Sequence, residues 1–276
     1  MSAPIEVTPQ PPAPGPAEES LDVLAGDWHI YQLRAGHRFS TDDLVTAWLG
    51  ATAAPQATRL LDLGAGIGSV GLMALWGVSH RVEGETVQLR PGPLPTLTMV
   101  EAQEVSHLLA RRTVAHNGLQ DRVTLRHCDL RAAQALIEGE RFDLVTGSPP
   151  YIPLGKGHVS PHPQRAACRM ELRGDIFDYC RTASRALAPE GRFAFCHAAA
   201  DPRPEAAVAA AGLALLERRD IVFRRGRPPT IAIFLAAAQG VRQDAPPMVV
   251  READGAWTEE WVAVRRRLGA PVYTAR

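Results

Sequence analysis

An α/β fold with a doubly wound, mostly parallel sheet follows from three observations. Between Leu60 and Ala238, short apolar runs alternate with segments of helical period. A glycine-rich turn, GAGIG, joins the first strand of that series to its first helix, and the series ends in two successive strands, ALLERRDIVF and PTIAIFLAA, which read as an antiparallel closing pair.

The elements are taken in chain order. Residues 1–19 carry six prolines and few apolar side chains, so a disordered tail is expected over 1–20. A segment over 21–55 is expected to cover the substrate and cofactor. Its first part, from Trp28, alternates like a strand or hairpin. Asp42–Leu49 then has a helical stripe of Leu44, Val45, Trp48 and Leu49, with Ser40 or Thr41 as its cap. The catalytic domain is read as 56–240. Arg59–Leu63 is its first strand and VGLMALWG its first helix. Thr98–Val100 is the second strand, ending at Glu101, and Ser106–Asn117 is a helix stopped by Gly118. Val123–Arg126 and Phe142–Thr146 are strands, Arg173–Leu187 is a helix terminated by APEG, Arg192–His197 is a strand and Pro204–Gly212 an alanine-rich helix. Val78–Leu97, with three prolines, delays the second strand and reads as an inserted hairpin. The extension 241–276 is expected to pack on the same domain through an edge hairpin and a short final helix.

Composition narrows the function classes. The formal net charge is zero, which excludes nucleic-acid binding through an overall positive field, although local arginine clusters are not excluded. Lys156 is the only lysine among 30 basic residues, so any phosphate contacts fall mainly to arginine. No apolar run is long enough for a membrane span, and the N-terminus lacks the basic start and apolar core of a signal peptide, so a cytoplasmic location is expected. Cys128, Cys168, Cys180 and Cys196 have neither zinc-knuckle spacing nor disulfide density. Together with the histidine spacing, this gives the expectation of no metal.

Asp62-Leu63-Gly64-Ala65-Gly66-Ile67-Gly68 lies between strand and helix. Glycines at alternate positions let the backbone turn tightly and lie against a nucleoside where a Cβ would collide. A dinucleotide site has GxGxxG instead; the GxGxG spacing here, with Asp62 inside the strand, favours S-adenosylmethionine. Glu101, ending the next strand, is placed to accept both ribose hydroxyls, and Asp129, after the third, to accept from the adenine amino group. The plain alternatives are a tight turn without a ligand and a solvent-facing glutamate.

At the end of the fourth strand stands Ser148-Pro149-Pro150-Tyr151. The prolines fix φ and remove two donors, leaving the carbonyls of Ser148 and Pro149 and the Ser148 hydroxyl as acceptors. Such a set suits an amino group conjugated with a ring or carbonyl. Holding its N–H bonds favours the pyramidal nitrogen that attacks a sulfonium methyl. Tyr151 is placed to stack on a flipped base. The plain alternative is a diproline turn with Tyr151 packed on the sheet edge.

On GHRFSTDDLVTAW, LLDLGAGIGSVGL, RRTVAHNGLQDRV, FDLVTGSPPYIP, RAACRMELRGDIFDY and PPMVVREADGAWTEE, the chain from about Leu33 onward resembles the bacterial tRNA(adenine-N6) methyltransferases that modify adenine 37 of valine tRNA. The resemblance implies a seven-stranded, Rossmann-like class I sheet with an antiparallel last strand. It also implies S-adenosyl-L-methionine as cofactor and tRNA as partner. Phe39, Ser40 and Asp42 would then lie over the methionine end of the cofactor, and Asp62, Gly64, Gly66 and Gly68 around the cofactor loop. Glu101 would take the ribose, Asp129 the adenine, and Ser148 through Tyr151 the chemistry. Ser148 stands where the family has asparagine, and Ser-Pro-Pro-Tyr is also a signature of cytosine-N4 DNA methyltransferases.

After this motif Lys156, His158, His162, Arg165, Arg169 and Arg173 form a basic run, read either as phosphate contacts beside the target base or as a solvated flap paired with Glu171 and Asp175. A second strip, Arg218, Arg219, Arg224, Arg225 and Arg227, and the group Arg265–Arg267, are read as possible extensions of that track or as surface. Four readings stay open besides adenine-N6 methylation of RNA. They are glutamine-N5 methylation of a protein, cytosine-N4 methylation of DNA, a small-molecule amine acceptor, and a non-catalytic RNA- or protein-binding member of the fold. Monomer and homodimer are both compatible with the sequence.

Overall fold

The computed structural model describes residues 18–84, 86–153, 155 and 160–272. Its centre is an eight-stranded sheet built around β3 (Arg59–Leu63). β3 pairs in parallel with β6 (Thr96–Glu101) on one side and β8 (Phe142–Gly147) on the other. Beyond β6 lies β7 (Val123–His127), and beyond β8 lie β9 (Leu187–Ala198), β11 (Ile231–Ala237), β10 (Ala214–Val222) and β12 (Met248–Val249). β11 runs antiparallel to both its neighbours.

Both faces of this sheet are covered, so its strands are apolar at successive positions. Leu60 packs into the core cluster on one face, shared with α1 (Thr41–Ala53), α2 (Ser69–Ser79), α3 (Glu104–His116) and α7 (Glu259–Arg267). Leu61 and Leu63 pack into the other, with α5 (Ile176–Ala186) and α6 (Arg203–Ala210). This is the doubly wound arrangement with its switch point at β3, where successive strands part to opposite sides and a crevice opens at their carboxyl ends.

The N-terminal hairpin, β1 (Glu19–Ala25) and β2 (Trp28–Leu33), is fixed to α3 by side chains that take up β2's edge amides. His29 N–H donates to Asn117 Oδ1 at 2.8 Å and Tyr31 N–H to Thr113 Oγ1 at 3.1 Å. The segment 34–40 is thereby led across the carboxyl end of the sheet. The inserted segment forms a hairpin, β4 (His80–Glu83) with β5 (Thr86–Leu89), away from that end.

Several sequence expectations are corrected. β1 begins at Glu19, inside the stretch read as a tail; most of that tail, residues 1–17, lies outside the described residues. The eighth strand, β12, has only two residues, too short for periodicity, and pairs in parallel with β10. α5 starts at Ile176, capped by Asp175, and Leu187–Gly191, read as helix end and terminator, already belongs to β9 through a register shift against β8. A short helix, α4 (Pro163–Arg169), stands in the basic run. Among the described residues no helix is long and apolar enough to cross a membrane.

Candidate active site

Because β3 and β8 are adjacent and in register, Leu63 opposite Gly147, the chain leaves both strands at the same level. The glycine turn and Ser148-Pro149-Pro150-Tyr151 therefore line one cavity of about 450 Å³, with Glu101 from β6, the segment 36–43 and α4 completing its walls.

The glycine turn is held open by specific contacts. Gly64, Gly66 and Gly68 all have left-handed φ, of 59, 57 and 92°, a region costly for residues with a Cβ. A Cβ on Gly64 would stand 1.9 Å from the Tyr179 hydroxyl, whereas one on Gly66 would meet nothing within 4 Å. Gly64 is thus required by packing, and Gly66 faces the open cavity. Gly68 lines none of it and serves as the left-handed cap of α2.

Two buried carboxylates brace the turn. Asp62 accepts from Gly71 N–H at 2.9 Å and Thr146 Oγ1 at 2.7 Å, tying β3 to the first turn of α2 and to β8. Burial lifts its pKa to about 6 against those two hydrogen bonds. Glu101 accepts from Gly66 N–H at 2.7 Å and Gln103 N–H at 2.5 Å; burial raises its pKa too. Each carboxylate oxygen has two lone-pair sites, so both Glu101 oxygens keep capacity toward the cavity.

On the opposite wall, Pro149 and Pro150 are buried and Ser148 half-buried. Ser148 Oγ lies 3.3 Å from Cys196 Sγ. Tyr151 O–H lies 3.0 Å from the same sulfur and donates to Asp42 Oδ2 at 3.2 Å, so its ring is oriented at the hydroxyl end. His197 packs against that ring with centroids 5.1 Å apart; burial pulls its pKa down to about 4. The tyrosine both packs against the core and lines the cavity, combining the two readings of the motif.

Over the top, Ser40 begins α1. Asp43 accepts from Ser40 N–H at 2.8 Å and from Ser69 Oγ at 3.0 Å. Burial, aided by the charge of Asp42, pushes the Asp43 carboxyl up to about 8, against the hydrogen bonds from Ser40 and Ser69. Phe39 packs against the core, its amide donating to Gln32 Oε1, and lies beside the cavity lining without joining it.

Asp129 is not in the cavity wall, although Cys128 and Leu130 are. Arg131, two residues on, takes its carboxylate at 2.7 Å and holds its pKa down. Arg165, expected as a phosphate contact, instead donates to the Gly36 carbonyl at 3.0 and 3.2 Å, fastening α4 to the covering segment. Arg169 and Arg173 are exposed at the rim. Lys156 and His158 lie outside the described residues. Glu171 pairs with Arg203 and Asp175 caps α5, so neither neutralises the rim arginines as the flap reading supposed. In the second strip, Arg218, Arg219 and Arg225 are taken by Glu205 and Asp220, Glu260, and Glu252.

Residues the sequence reading passed over also shape the site. Asp43 could have been found from the Ser-x-x-Asp spacing of a capping box. Tyr179, Gln164 and Cys196 carry no such local signal: Gln164 accepts from His37 N–H at 3.0 Å across 127 positions. No group of three or more metal-ligating side chains occurs among the described residues.

No family model matches the chain. The tRNA1(Val) (adenine(37)-N6)-methyltransferase of Tolumonas auensis is 25% identical over 239 residues, spanning 86% of this chain and 92% of its own. The protein of that name from Shewanella amazonensis is 26% identical, over 87% and 94%. Among solved structures, a predicted O-methyltransferase from Agrobacterium tumefaciens superposes with a TM-score of 0.58 at 20% identity, covering 85% of this chain and all, 100%, of that one. A Thermus thermophilus 16S rRNA N2 G1207 methyltransferase, in complex with AdoMet and guanosine, superposes at 0.53 with 17% identity, covering 83% and 52%.

Proposed function

We propose that this chain, an S-adenosylmethionine-dependent methyltransferase of the class I fold, transfers the methyl group to an exocyclic amino nitrogen, that of adenine N6 in tRNA. The observation that carries the reading is the shared cavity: a turn suited to a nucleoside and a proline-stiffened edge of acceptors open onto the same space. The names of the curated relatives supply the base and the RNA.

The residues present fit the cofactor. Gly66 leaves its flank clear, Glu101 offers carboxylate oxygens at the end of β6, and Ser40 and Asp42 close the side toward Tyr151. When bound, S-adenosylmethionine supplies a sulfonium methyl to an attacking nucleophile. Ser148 and the adjoining carbonyls accept from the amino group, drawing its lone pair out of conjugation with the ring. Because charge grows on nitrogen as the bond forms, fixed oxygens stabilise the transition state more than the ground state. Tyr151, oriented by Asp42, presents its ring to the extruded base and restricts its approach. Exposed Arg169 and Arg173 supply phosphate contacts at the rim. No base is needed before transfer, since the proton leaves afterward.

Incubation with labelled S-adenosylmethionine and total tRNA, followed by nucleoside mass spectrometry, tests this directly. Label is expected in N6-methyladenosine. Label confined to protein glutamine, or none in tRNA at saturating cofactor, contradicts it.

A further inference from the structure

Across the first turn of α1 from the catalytic cavity lies a second cleft, of about 350 Å³. It is lined by Phe223, Trp257 and Trp261 and by three arginines, Arg224, Arg251 and Arg265. The guanidinium of Arg265 sits 4.6 Å from the Trp257 ring centroid and that of Arg251 5.6 Å from it. Arg251 also donates to the Gly255 carbonyl at 2.7 Å, and Arg224 reaches the Ala253 carbonyl at 3.4 Å.

Two carboxylates of this segment are paired with arginines outside the cleft lining. Glu252 pairs with Arg225, Glu260 with Arg219, and Asp254 accepts from the Ala256 amide. Among the described residues, Arg224 and Arg251 form no ion pair with a carboxylate, and both are exposed. In a chain with zero net charge, Arg224 and Arg251 beside an aromatic wall are a local feature. Guanidinium groups steadied on rings keep their N–H fork for a planar or tetrahedral anion. Trp261 is buried and Trp257 half-buried beneath arginines, so the cleft is built for backbone phosphate more than for base stacking.

Its position identifies which strand. Ser40 and Asp42 line the catalytic cavity while Thr41, between them, lines the cleft. The cleft and the catalytic cavity therefore meet at the first turn of α1. Resting on the reading of an RNA substrate, we infer that this cleft binds the sugar-phosphate backbone flanking the target adenosine, fixing the strand while the base enters the cavity.

The test uses the full chain and a hairpin RNA with an unpaired adenine in its loop. Binding is measured by fluorescence anisotropy over a salt series, and methylation by steady-state kinetics. Arg224→Glu combined with Arg251→Glu should weaken RNA binding at least about tenfold. It should also make the salt dependence shallower by about one, at roughly 0.7 per lost phosphate contact on a single strand. KM for RNA should rise, with kcat and cofactor affinity unchanged. The paired Arg→Lys variant, which keeps the charge but not the fork, should lose clearly less affinity than the Glu pair, which separates charge from integrity of the loop. Unchanged affinity and slope, an equal loss in the Lys pair, or a loss confined to methylation of a protein acceptor would overturn the inference while leaving RNA methylation by the wild type standing. A wild type that neither binds nor methylates the hairpin overturns the functional reading, and the inference with it.

Discussion

The two walls of the catalytic cavity are made by different means. On the glycine-turn wall, Asp62 and Glu101 each accept two hydrogen bonds from groups in or beside the turn, and both are buried. On the Ser148–Tyr151 wall, Ser148 leans on a thiol and Tyr151 on that thiol and on Asp42, reached across 109 positions of sequence, and both stay half-open to the cavity. The first wall is a scaffold whose loss costs stability and cofactor affinity. The second is an adjustable edge whose loss costs acceptor positioning.

The sharpest way to break this comparison is Asp62→Ala. It leaves the Gly71 amide unpaired in the interior and the Thr146 hydroxyl with only the longer bond to the Leu61 carbonyl, and about 2–5 kcal/mol of stability should be lost, read by denaturant unfolding. Wild-type stability in this variant would deny the first wall its scaffold role. Glu101→Ala should next weaken S-adenosylmethionine binding by about ten- to a hundredfold, since hydrogen bonds to a charged group carry about 1.5–3 kcal/mol; calorimetric titration decides it. Tyr151→Ala should raise KM for RNA about tenfold through a lost ring contact. Tyr151→Phe, which removes only the hydroxyl anchor to Asp42, should change it less than Ala does. Equal effects would place the function of Tyr151 in its hydroxyl instead of its ring.

A smaller effect lies in the pH dependence. With Asp43 lifted to about 8 and Asp62 to about 6, the folded protein holds protons that the unfolded chain has already released. The corresponding stability is whole below about pH 4 and is lost as pH rises through those two values. Asp43→Asn removes one share, so its unfolding temperature should fall less than the wild type's between about pH 5 and about pH 9. Parallel curves would show that Asp43 is ionised throughout. Smallest of all, Arg169→Ala should weaken RNA binding a few-fold, and less so at high salt.

The same contrast explains what the sequence made legible. β3, β6 and β8 are buried on both faces, so they appear as apolar runs, and the residues at their ends follow from order alone. That places Gly64, Gly66, Glu101 and Ser148 without any knowledge of distant contacts. Asp129 is placed by the same order, but its salt bridge to Arg131 could not be read there, because that contact depends on a rotamer and not on a strand end. α4 was unreadable: it has seven residues, starts at Pro163 and shows no apolar stripe, and its function is to hold Gly36 and His37 through Arg165 and Gln164. Cys196 and His197 read only as part of a strand, since their meaning comes from Tyr151 across the sheet edge.

The most direct measurement is the single-turnover rate of methyl transfer within a preformed complex of enzyme, S-adenosylmethionine and RNA, comparing wild type with Ser148→Ala. Loss of one oriented acceptor should slow N6-methyladenosine formation at least about tenfold, with both dissociation constants unchanged. Transfer at the wild-type rate would mean that the proline-stiffened edge does not hold the reacting nitrogen.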